Sequence, residues 1–313
     1  MSFTIAIAGG TGSLGRAIAE AILSTGIFRL IILSRKFDAS IQESLDVPVI
    51  PVDYTRVDQV AKVLEEHNVH TLVSVVNPTP GPQTEFVLIE AAEKVPSTKR
   101  FIPSIWGSPE SSCMTNMLRH GHLFPLAQTK LEILDRLESS PLEWTAWYFG
   151  LYAEFLAQRP SSFPIILDLE NHQAVVPGSG DVPITVASKP DVARFVTASL
   201  SLPSWRRETY LIGDKFTPNQ AVEVAEGIRG TKFKVTHDSL DALKAGKTTE
   251  LPNQTVMSAF IPREALLGIV SFFMTLFESG ALDFQDVDTI NEEFPDLKPK
   301  SIKELMSEGW GRE

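Results

Sequence analysis

Hydrophobic and polar positions in the first half of the chain alternate between two kinds of segment. Short apolar runs rich in β-branched residues are typical of strands buried on both faces of a parallel sheet. They cover residues 3–8, 30–33, 47–52, 71–76 and 100–103. Between them lie segments with a helical period, such as residues 57–67 and 83–94. This alternation predicts a doubly wound α/β fold around a parallel sheet.

The pattern becomes less regular beyond the fifth predicted strand. Further elements are predicted at residues 123–137 (a helix), 144–149 (a sixth strand rich in aromatic residues), and 174–176 and 209–212 (short strands). A later helix begins at Thr217-Pro218-Asn219-Gln220, which combines a capping residue, a proline in the first turn and a capping-box glutamine. Gly230 is expected to end that helix.

A glycine-rich segment joins the first predicted strand to the first predicted helix. It reads Gly9-Gly10-Thr11-Gly12-Ser13-Leu14-Gly15. Glycines at this spacing provide a tight turn, close approach of the backbone to a pyrophosphate, and close packing of helix on strand. The N–H groups and the positive dipole end at the start of the helix would bind the phosphates. We therefore predict a dinucleotide site that includes Gly9, Thr11, Gly12, Ser13, Leu14 and Gly15.

The end of the second predicted strand indicates which dinucleotide binds. About twenty residues past the glycine segment, where a carboxylate usually binds the ribose 2′-hydroxyl, the chain reads Ser34-Arg35-Lys36. A guanidinium offers two hydrogen bonds to a 2′-phosphate, which a carboxylate would repel. We predict NADP(H) as the cofactor, with Arg35 as the principal 2′-phosphate ligand and Lys36 as a second. The alternative is a solvated basic strand end.

Composition and charge restrict the classes of protein to which this chain can belong. The 313 residues are 43% hydrophobic and 21% charged, which is ordinary for a globular chain. A net charge of −11 without a long basic run argues against direct binding of nucleic acid. Cys113 is the single cysteine, so no internal disulfide forms and a reducing compartment is expected.

The sequence predicts neither a membrane protein nor a metal site. Its start shows no signal peptide. The longest apolar run, residues 265–277, is shorter than the roughly 20 residues of a membrane span. The six histidines show no metal-binding pattern. We expect a cytoplasmic protein, monomeric or homodimeric, whose partner is a small-molecule substrate.

Polar or turn residues stand at the carboxyl ends of the predicted strands. Ligands of open parallel sheets bind beyond these ends. The rule adds Asp53, Asn77, Pro103 and Ser104 to the predicted cofactor site. Residues 104–123 form a long polar stretch without a period, as functional loops often do.

Four separated segments of the chain point to one protein family. They are residues 9–15, Lys99-Arg100-Phe101-Ile102-Pro103-Ser104, Lys130, and Phe294-Pro295-Asp296-Leu297-Lys298-Pro299. Together they resemble the NmrA-like family, which includes isoflavone and pinoresinol reductases. The resemblance implies an NADP-binding Rossmann domain over residues 1–150. It also implies a smaller, partly interleaved α+β substrate domain over residues 151–313, with some elements returning to the Rossmann core.

The resemblance implies that Lys130 is the catalytic residue, because the family's reductases carry a lysine on this helix. It would also hold the nicotinamide ribose, and it would donate a proton or stabilise charge as hydride arrives from NADPH. The Tyr-x-x-x-Lys motif of ordinary short-chain dehydrogenases is absent, since Leu126 stands at the tyrosine position. A ribose-binding lysine without catalysis and a solvated helix lysine are the alternatives.

One position departs from the family pattern. In the reductases the serine is usually followed by a glutamate and an aromatic residue, whereas this chain reads Ser104-Ile105-Trp106. The carboxylate is missing at this position. The substrate of the isoflavone reductases is therefore not carried over to this chain.

Five further residues are candidates for substrate contact: Trp106, His120, His122, Phe149 and Tyr152. The two histidines precede the lysine helix, where they would act as acid, base or ligand, or simply lie in a surface loop. The three aromatic residues would line an aromatic pocket or belong to the core.

Three functions are consistent with these motifs. The first is an NADPH-dependent reductase of a small aromatic or polyketide-like molecule. The second is a regulator like NmrA itself, which senses the dinucleotide and controls a protein partner without catalysis; the altered segment after Ser104 favours it and Lys130 disfavours it. The third is a non-redox cyclase or isomerase on the same scaffold.

Overall fold

A computed structural model describes residues 3–109, 125–157, 163–259 and 261–311. The elements of the first part are β1 (Thr4–Ala8), α1 (Ser13–Thr25), β2 (Arg29–Ser34), α2 (Ala39–Leu45), β3 (Val49–Pro51), α3 (Val57–Glu66), β4 (Val69–Ser74), α4 (Gln83–Lys94), β5 (Arg100–Ile102), β6 (Trp106–Gly107), α5 (Pro125–Glu138), β7 (Glu143–Trp144) and β8 (Ala146–Tyr148). They alternate in the order that the hydrophobic pattern predicts.

The second part contains shorter strands between longer helices. Its elements are β9 (Leu151–Tyr152), α6 (Glu154–Ala157), β10 (Leu167–Asp168), β11 (Gln173–Pro177), β12 (Ile184–Ala187), α7 (Lys189–Ser199), β13 (Glu208–Tyr210), β14 (Asp214–Phe216), α8 (Pro218–Arg229), β15 (Lys234–Asp238), α9 (Leu240–Lys244), a 3₁₀ helix (Pro252–Ala259), α10 (Arg263–Glu278), α11 (Ile290–Glu293) and α12 (Ile302–Trp310). The predicted capping box at Thr217 and the helix end at Gly230 are confirmed.

A parallel sheet in the order β3-β2-β1-β4-β5-β7 forms the centre of the first part. Both faces of β1 are buried: Ile5 and Ile7 belong to the cluster that contains α1, and Ala6 to the cluster that contains α3 and α4. Helices on both faces explain why the strands read as continuous apolar runs. The predicted doubly wound α/β fold is confirmed.

The predicted sixth strand over residues 144–149 is split between two sheets. Trp144 of β7 pairs with Phe101 of β5, whereas β8 pairs with β6 and β13. Pro103 offers no N–H to a ladder, and the Ile105 N–H donates to the Pro103 carbonyl at 2.7 Å, which turns the chain out of the central sheet. Because β6 has left the central sheet, β8 pairs with β6 and does not continue the pairing of β7 with β5.

Helix α7 packs against α1 although about 165 residues separate them along the chain. Val192, Phe195 and Val196 lie in the same buried cluster as Ile18 and Ile22. Within the described residues there are also three small sheets, β10-β11-β15, β14-β12-β9 and β13-β8-β6. The division into domains at residue 150 stays a prediction.

Helix α10 contains the longest apolar run and buries one side, which includes Leu266, Val270 and Phe277. None of the helices in the described ranges has the length and apolar character that crossing a bilayer requires. The cytoplasmic location stays a prediction.

Candidate cofactor and active site

The glycine segment forms the turn between β1 and α1. Gly9 has a φ of 82°, in the left-handed region that favours glycine, and its N–H donates to the Leu33 carbonyl at 3.0 Å. A Cβ atom at Gly15 would lie 2.7 Å from both the Gly10 Cα and the Gly9 carbonyl oxygen. Two glycines therefore permit the turn and the close approach of α1 to it.

Helix α1 presents its N-terminus to solvent. No side chain in the described part of the structure caps it, and its first turn carries no acidic residue. By contrast, α7 begins at Ser188, whose hydroxyl accepts from a backbone N–H. Thr11, Gly12 and Ser13 are exposed around this N-terminus. Its N–H groups and positive dipole end therefore fit a pyrophosphate.

Tyr54 supports the glycine turn, a role that the sequence analysis did not predict. It is 9% exposed, and its hydroxyl donates to the Leu33 carbonyl at 2.8 Å and accepts from the Gly9 N–H at 3.2 Å. Burial raises the pKa of the phenol well above its usual value, so the hydroxyl stays protonated. The available signal was a hydrogen-bonding aromatic residue directly after the predicted strand end at Asp53.

The predicted 2′-phosphate ligands lie at the carboxyl end of β2. Arg35 and Lys36 are exposed there, beyond Ser34, whose hydroxyl donates to the Lys36 carbonyl. Just beyond the adjacent strand β3, Asp53 is exposed and accepts from the hydroxyl and the N–H of Thr55 at 2.7 and 2.9 Å. These hydrogen bonds lower the pKa of the Asp53 carboxyl. A basic pair and a carboxylate thus share one edge of the sheet.

The remaining predicted cofactor residues lie beyond β4 and β5. Asn77 is exposed and accepts from the Thr79 N–H at 3.0 Å. Pro103 and Ser104 are buried, and the Ser104 hydroxyl donates to the Val76 carbonyl at 2.7 Å. Because β1, β4 and β5 are neighbours in a parallel sheet, these residues share the edge that carries the glycine turn.

Lys130 is directed to this edge from α5. Its Nζ donates to the Trp106 carbonyl at 2.9 Å, and the Trp106 indole N–H donates to the Ser74 carbonyl at 3.0 Å. Both side chains are half-buried. The contact places the ammonium group beside the loop that follows β5, so Lys130 is not simply a solvated helix lysine.

A carboxylate does contact the loop after β5, but it lies on α4. In the family's reductases, the carboxylate usually follows the serine of this loop. Ile105 is fully buried. Glu85 of α4 is 1% exposed, and its Oε1 accepts from the Ser104 N–H at 3.2 Å and from the Ser74 hydroxyl. Burial raises the pKa of the Glu85 carboxyl to about 7. The available signal was an acid at a core position of a helix whose buried stripe continues with Leu88 and Ile89.

The predicted aromatic residues begin a series of stacked rings. Phe149 is fully buried and lies 4.9 Å, between ring centroids, from the half-buried Tyr152. Tyr152 contacts Phe155 at 5.9 Å, and the Lys189 ammonium lies 5.3 Å from the Tyr152 ring centroid. The series continues through Phe163 and Phe273. Phe149 therefore belongs to the core, whereas Tyr152 has surface available for a ligand.

His120, His122 and Cys113 lie outside the described residues. The roles predicted for the two histidines therefore stay predictions.

A cavity of about 340 Å³ lies at the opposite end of the sheet from the glycine turn. It is lined in part by Thr145, Trp205, Arg206 and Glu293. Trp205 stacks on the guanidinium of Arg100, the first residue of β5, with 4.7 Å from Cζ to the ring centroid. This cavity is thus separate from the predicted cofactor edge.

Comparison with known proteins shows that nearly the whole chain is similar to proteins named oxidoreductases and shares its fold with solved reductases. Oxidoreductase BOA1 of Botryotinia fuckeliana is 29% identical over 302 residues, which covers 94% of this chain and 95% of that protein. Leucoanthocyanidin reductase of Vitis vinifera, solved as a binary complex with NADPH, superposes with a TM-score of 0.78 at 17% identity over 97% of this chain and 98% of the other. The structure of AtPrR2 with NADP⁺ and (+)pinoresinol gives the same TM-score at 18% identity, covering 98% of each chain.

The likeness to solved structures confirms the fold, including the parallel sheet and the elements that follow it. The family model for NmrA-like proteins matches residues 1–278, most of the chain. The resemblance predicted from four short segments is thereby confirmed: the chain belongs to the NmrA-like family.

Proposed function

We propose that this protein is an NADPH-dependent oxidoreductase that reduces a small molecule. The observation that carries the proposal is the convergence on one sheet edge of an uncapped glycine turn, the exposed Arg35 and the inward-directed Lys130. Relatives named as oxidoreductases, collinear with nearly all of the chain, support it.

Cofactor binding is divided between two halves of this edge. The glycine turn and the start of α1 would bind the pyrophosphate, and Arg35 with Lys36 the 2′-phosphate. Asp53 would lie on the adenosine side, and the loops carrying Asn77, Pro103 and Ser104 would line the nicotinamide half. When bound, NADPH supplies the hydride.

Lys130 provides the proton or the positive charge that complements hydride transfer. Hydride adds to a substrate carbon, and the oxygen bonded to that carbon takes a proton from the Lys130 ammonium or is stabilised by it. The Trp106 carbonyl orients the ammonium from the side of the β5 loop. Proton exchange with solvent would then restore the charged amine.

The proposed substrate is aromatic or polyketide-like. Tyr152 and Trp106 are half-buried, and the ring series behind Tyr152 provides a rigid apolar support. Aromatic rings of this kind suit offset or edge contacts with an aromatic ligand. The pinoresinol complex of the similarly folded AtPrR2 is consistent with this class.

Calorimetric titration of the nucleotide-free protein with NADPH, NADP⁺, NADH and NAD⁺ tests the cofactor assignment. We expect NADPH to bind most tightly. The substitution Arg35→Asp should weaken NADPH binding by roughly 30- to 100-fold, because a charge-assisted contact of about 2–3 kcal/mol is replaced by repulsion. NADH binding should change little. Arg29→Asp, at the opposite end of the same strand, is the matched control.

The same titration separates the reductase from the regulator. If the oxidised nucleotides bind and the reduced ones scarcely do, the site distinguishes the redox state of the nucleotide, and the reductase proposal is wrong. If Arg35→Asp leaves the ratio of NADPH to NADH affinity unchanged, Arg35 is not the 2′-phosphate ligand.

Lys130→Met tests the catalytic assignment. Screening NADPH oxidation against aromatic carbonyl and quinone compounds provides the assay. We expect turnover to fall by about 100-fold or more, because general acid catalysis is lost, while NADPH affinity stays within a few fold. Lys62→Met, an exposed lysine on α3, should behave as the wild type. Unchanged turnover in Lys130→Met would remove Lys130 from the mechanism.

A further inference from the structure

Glu85 occupies a position at which α4 otherwise presents apolar residues to the sheet. It shares the buried stripe with Leu88, Ile89 and Ala92. A carboxylate in such surroundings loses the solvation of its charged form. The Glu85 carboxyl is therefore buried beside the proposed cofactor edge, and its charge changes near neutral pH.

One oxygen of Glu85 joins the ends of two neighbouring strands. Oε1 accepts from the Ser74 hydroxyl, at the end of β4, and from the Ser104 N–H, just beyond β5, at 3.2 Å. The two strands pair in parallel in the central sheet. Glu85 thus fixes the spacing of the two loops proposed to line the nicotinamide half of the cofactor.

Hydrogen bonds lead from this carboxylate to the proposed catalytic lysine. Ser74 contacts Glu85 through its hydroxyl and Trp106 through its carbonyl, which accepts from the indole N–H at 3.0 Å. The Trp106 carbonyl in turn accepts from the Lys130 ammonium at 2.9 Å. A change at Glu85 is therefore transmitted to Lys130 along the hydrogen bonds through Ser74 and Trp106.

The second oxygen of Glu85 is buried and has no hydrogen-bond partner among the residues that the structure describes. In the ionised form this unsatisfied oxygen is unfavourable, but Oε1 accepts two charge-assisted hydrogen bonds. The protonated form removes the charge, and both bonds to Oε1 weaken. Protonation consequently loosens the link between the β4 and β5 loops.

Glu85 is the buried carboxyl in this part of the described structure whose pKa burial raises to about 7. The phenol of Tyr54 interacts with the Glu85 charge, but its own raised pKa keeps it neutral. The Lys130 ammonium donates to the Trp106 carbonyl. The helices that pack against α4 carry ion pairs nearer its C-terminus: Asp58 with Lys94, and Arg136 with Glu93.

We propose that Glu85 is a positioning residue for the nicotinamide end of the site: in its ionised form it holds Ser74 and Ser104, and through Ser74 also Trp106 and Lys130, in the arrangement that binds nicotinamide. Nicotinamide binding and turnover then fall as the pH falls below neutrality. The link to Trp106 is a property of the protein alone, and the effect on nicotinamide rests on the proposed function.

The indole N–H resonance of Trp106 tests the link without any cofactor. Trp106→Phe assigns this signal among the five tryptophans of the ¹⁵N spectrum. We expect it to shift in the wild type with a midpoint near pH 7 and to be independent of pH in Glu85→Gln. Glu90→Gln, on the exposed face of the same helix, should titrate as the wild type.

Two results would overturn the link. One is a Trp106 signal that does not move with pH in the wild type, and the other is a signal that moves equally in Glu85→Gln. Should Glu85→Gln fail to fold, Ser74→Ala serves instead, because it removes the hydroxyl that connects Glu85 to the carbonyl partner of Trp106. It should diminish the pH-dependent shift.

Comparing NADPH with 2′,5′-ADP, which lacks the nicotinamide half, tests the positioning role. In Glu85→Gln we expect NADPH affinity to fall about tenfold at pH 8, since a charged acceptor becomes neutral, and 2′,5′-ADP affinity to stay unchanged. Equal losses for both ligands would indicate general destabilisation and contradict the role. If neither ligand binds the wild type, the proposed NADPH-dependent function is wrong, and the Trp106 titration alone decides whether Glu85 positions this loop.

Discussion

Tyr54 shows how one side chain can shape the whole glycine turn that is proposed to bind the phosphates. Its hydroxyl connects the Gly9 N–H to the Leu33 carbonyl, and so joins the ends of β1 and β2 to the segment after β3. A turn held in its binding conformation loses less entropy when the phosphates arrive. We therefore expect Tyr54 to contribute to cofactor affinity without touching the phosphates.

The substitution Tyr54→Phe tests this contribution. We expect NADPH affinity to fall by roughly 3- to 10-fold and the free energy of unfolding by about 1 kcal/mol, because two hydrogen bonds to buried backbone are lost. Calorimetry and denaturant titration measure the two effects. Tyr210→Phe, whose hydroxyl donates to the exposed Glu208, is the control and should leave NADPH affinity unchanged. Wild-type affinity in Tyr54→Phe would show that the turn needs no such support.

At the scale of elements, Arg100 connects β5 to the segment that follows α7. Its guanidinium donates to Glu143 at 2.6 Å and to the carbonyls of Leu200 and Pro203 at 3.3 and 2.9 Å. The planar group also stacks on Trp205. These contacts hold the second part of the chain against the central sheet at the end remote from the cofactor.

Arg100→Leu should lower the free energy of unfolding by about 3 kcal/mol, because the half-buried Glu143 loses its ion pair and two backbone carbonyls lose their donor. Denaturant titration measures this loss. Arg206→Leu removes exposed ion pairs with Asp288 and Glu293 and should cost less than about 1 kcal/mol. Equal costs for both variants would contradict the connecting role of Arg100.

At the scale of the whole molecule, Glu85 links stability to pH. Its pKa is raised from 4.5 in the unfolded chain to about 7 in the fold. Between these values the native state binds more protons than the unfolded state, so the free energy of unfolding decreases as the pH rises. The exposed carboxylates with lowered pKa, such as Asp53, act in the opposite direction and are common to wild type and variant.

Glu85→Gln should therefore gain stability relative to the wild type as the pH rises from 5 to 8. The expected gain is about 2–3 kcal/mol, because the pKa of the Glu85 carboxyl is raised from 4.5 to about 7. Denaturant titrations of both proteins at several pH values measure it, with Glu90→Gln as control. A stability difference that does not depend on pH would show that Glu85 has an ordinary pKa.

The sequence predicted most of the residues of the proposed cofactor edge because each part of it is a local pattern. The spacing of Gly9 and Gly15 needs only a strand before it and a helix after it, and Arg35 needs only the end of the next strand. The split of the predicted sixth strand was missed, because the choice of partner strand depends on the turn at Pro103 and on β13, which follows about 60 residues later.

The sequence by itself determined the parallel sheet, the family and the residues at the carboxyl ends of the strands, since hydrophobic period and chain order specify these. Only the tertiary structure decided which polar groups meet: Tyr54 with Gly9, Glu85 with Ser74 and Ser104, and Lys130 with Trp106. The reason is physical. A buried polar group must find a partner wherever packing brings one, and that partner is set by distance in space and not along the chain.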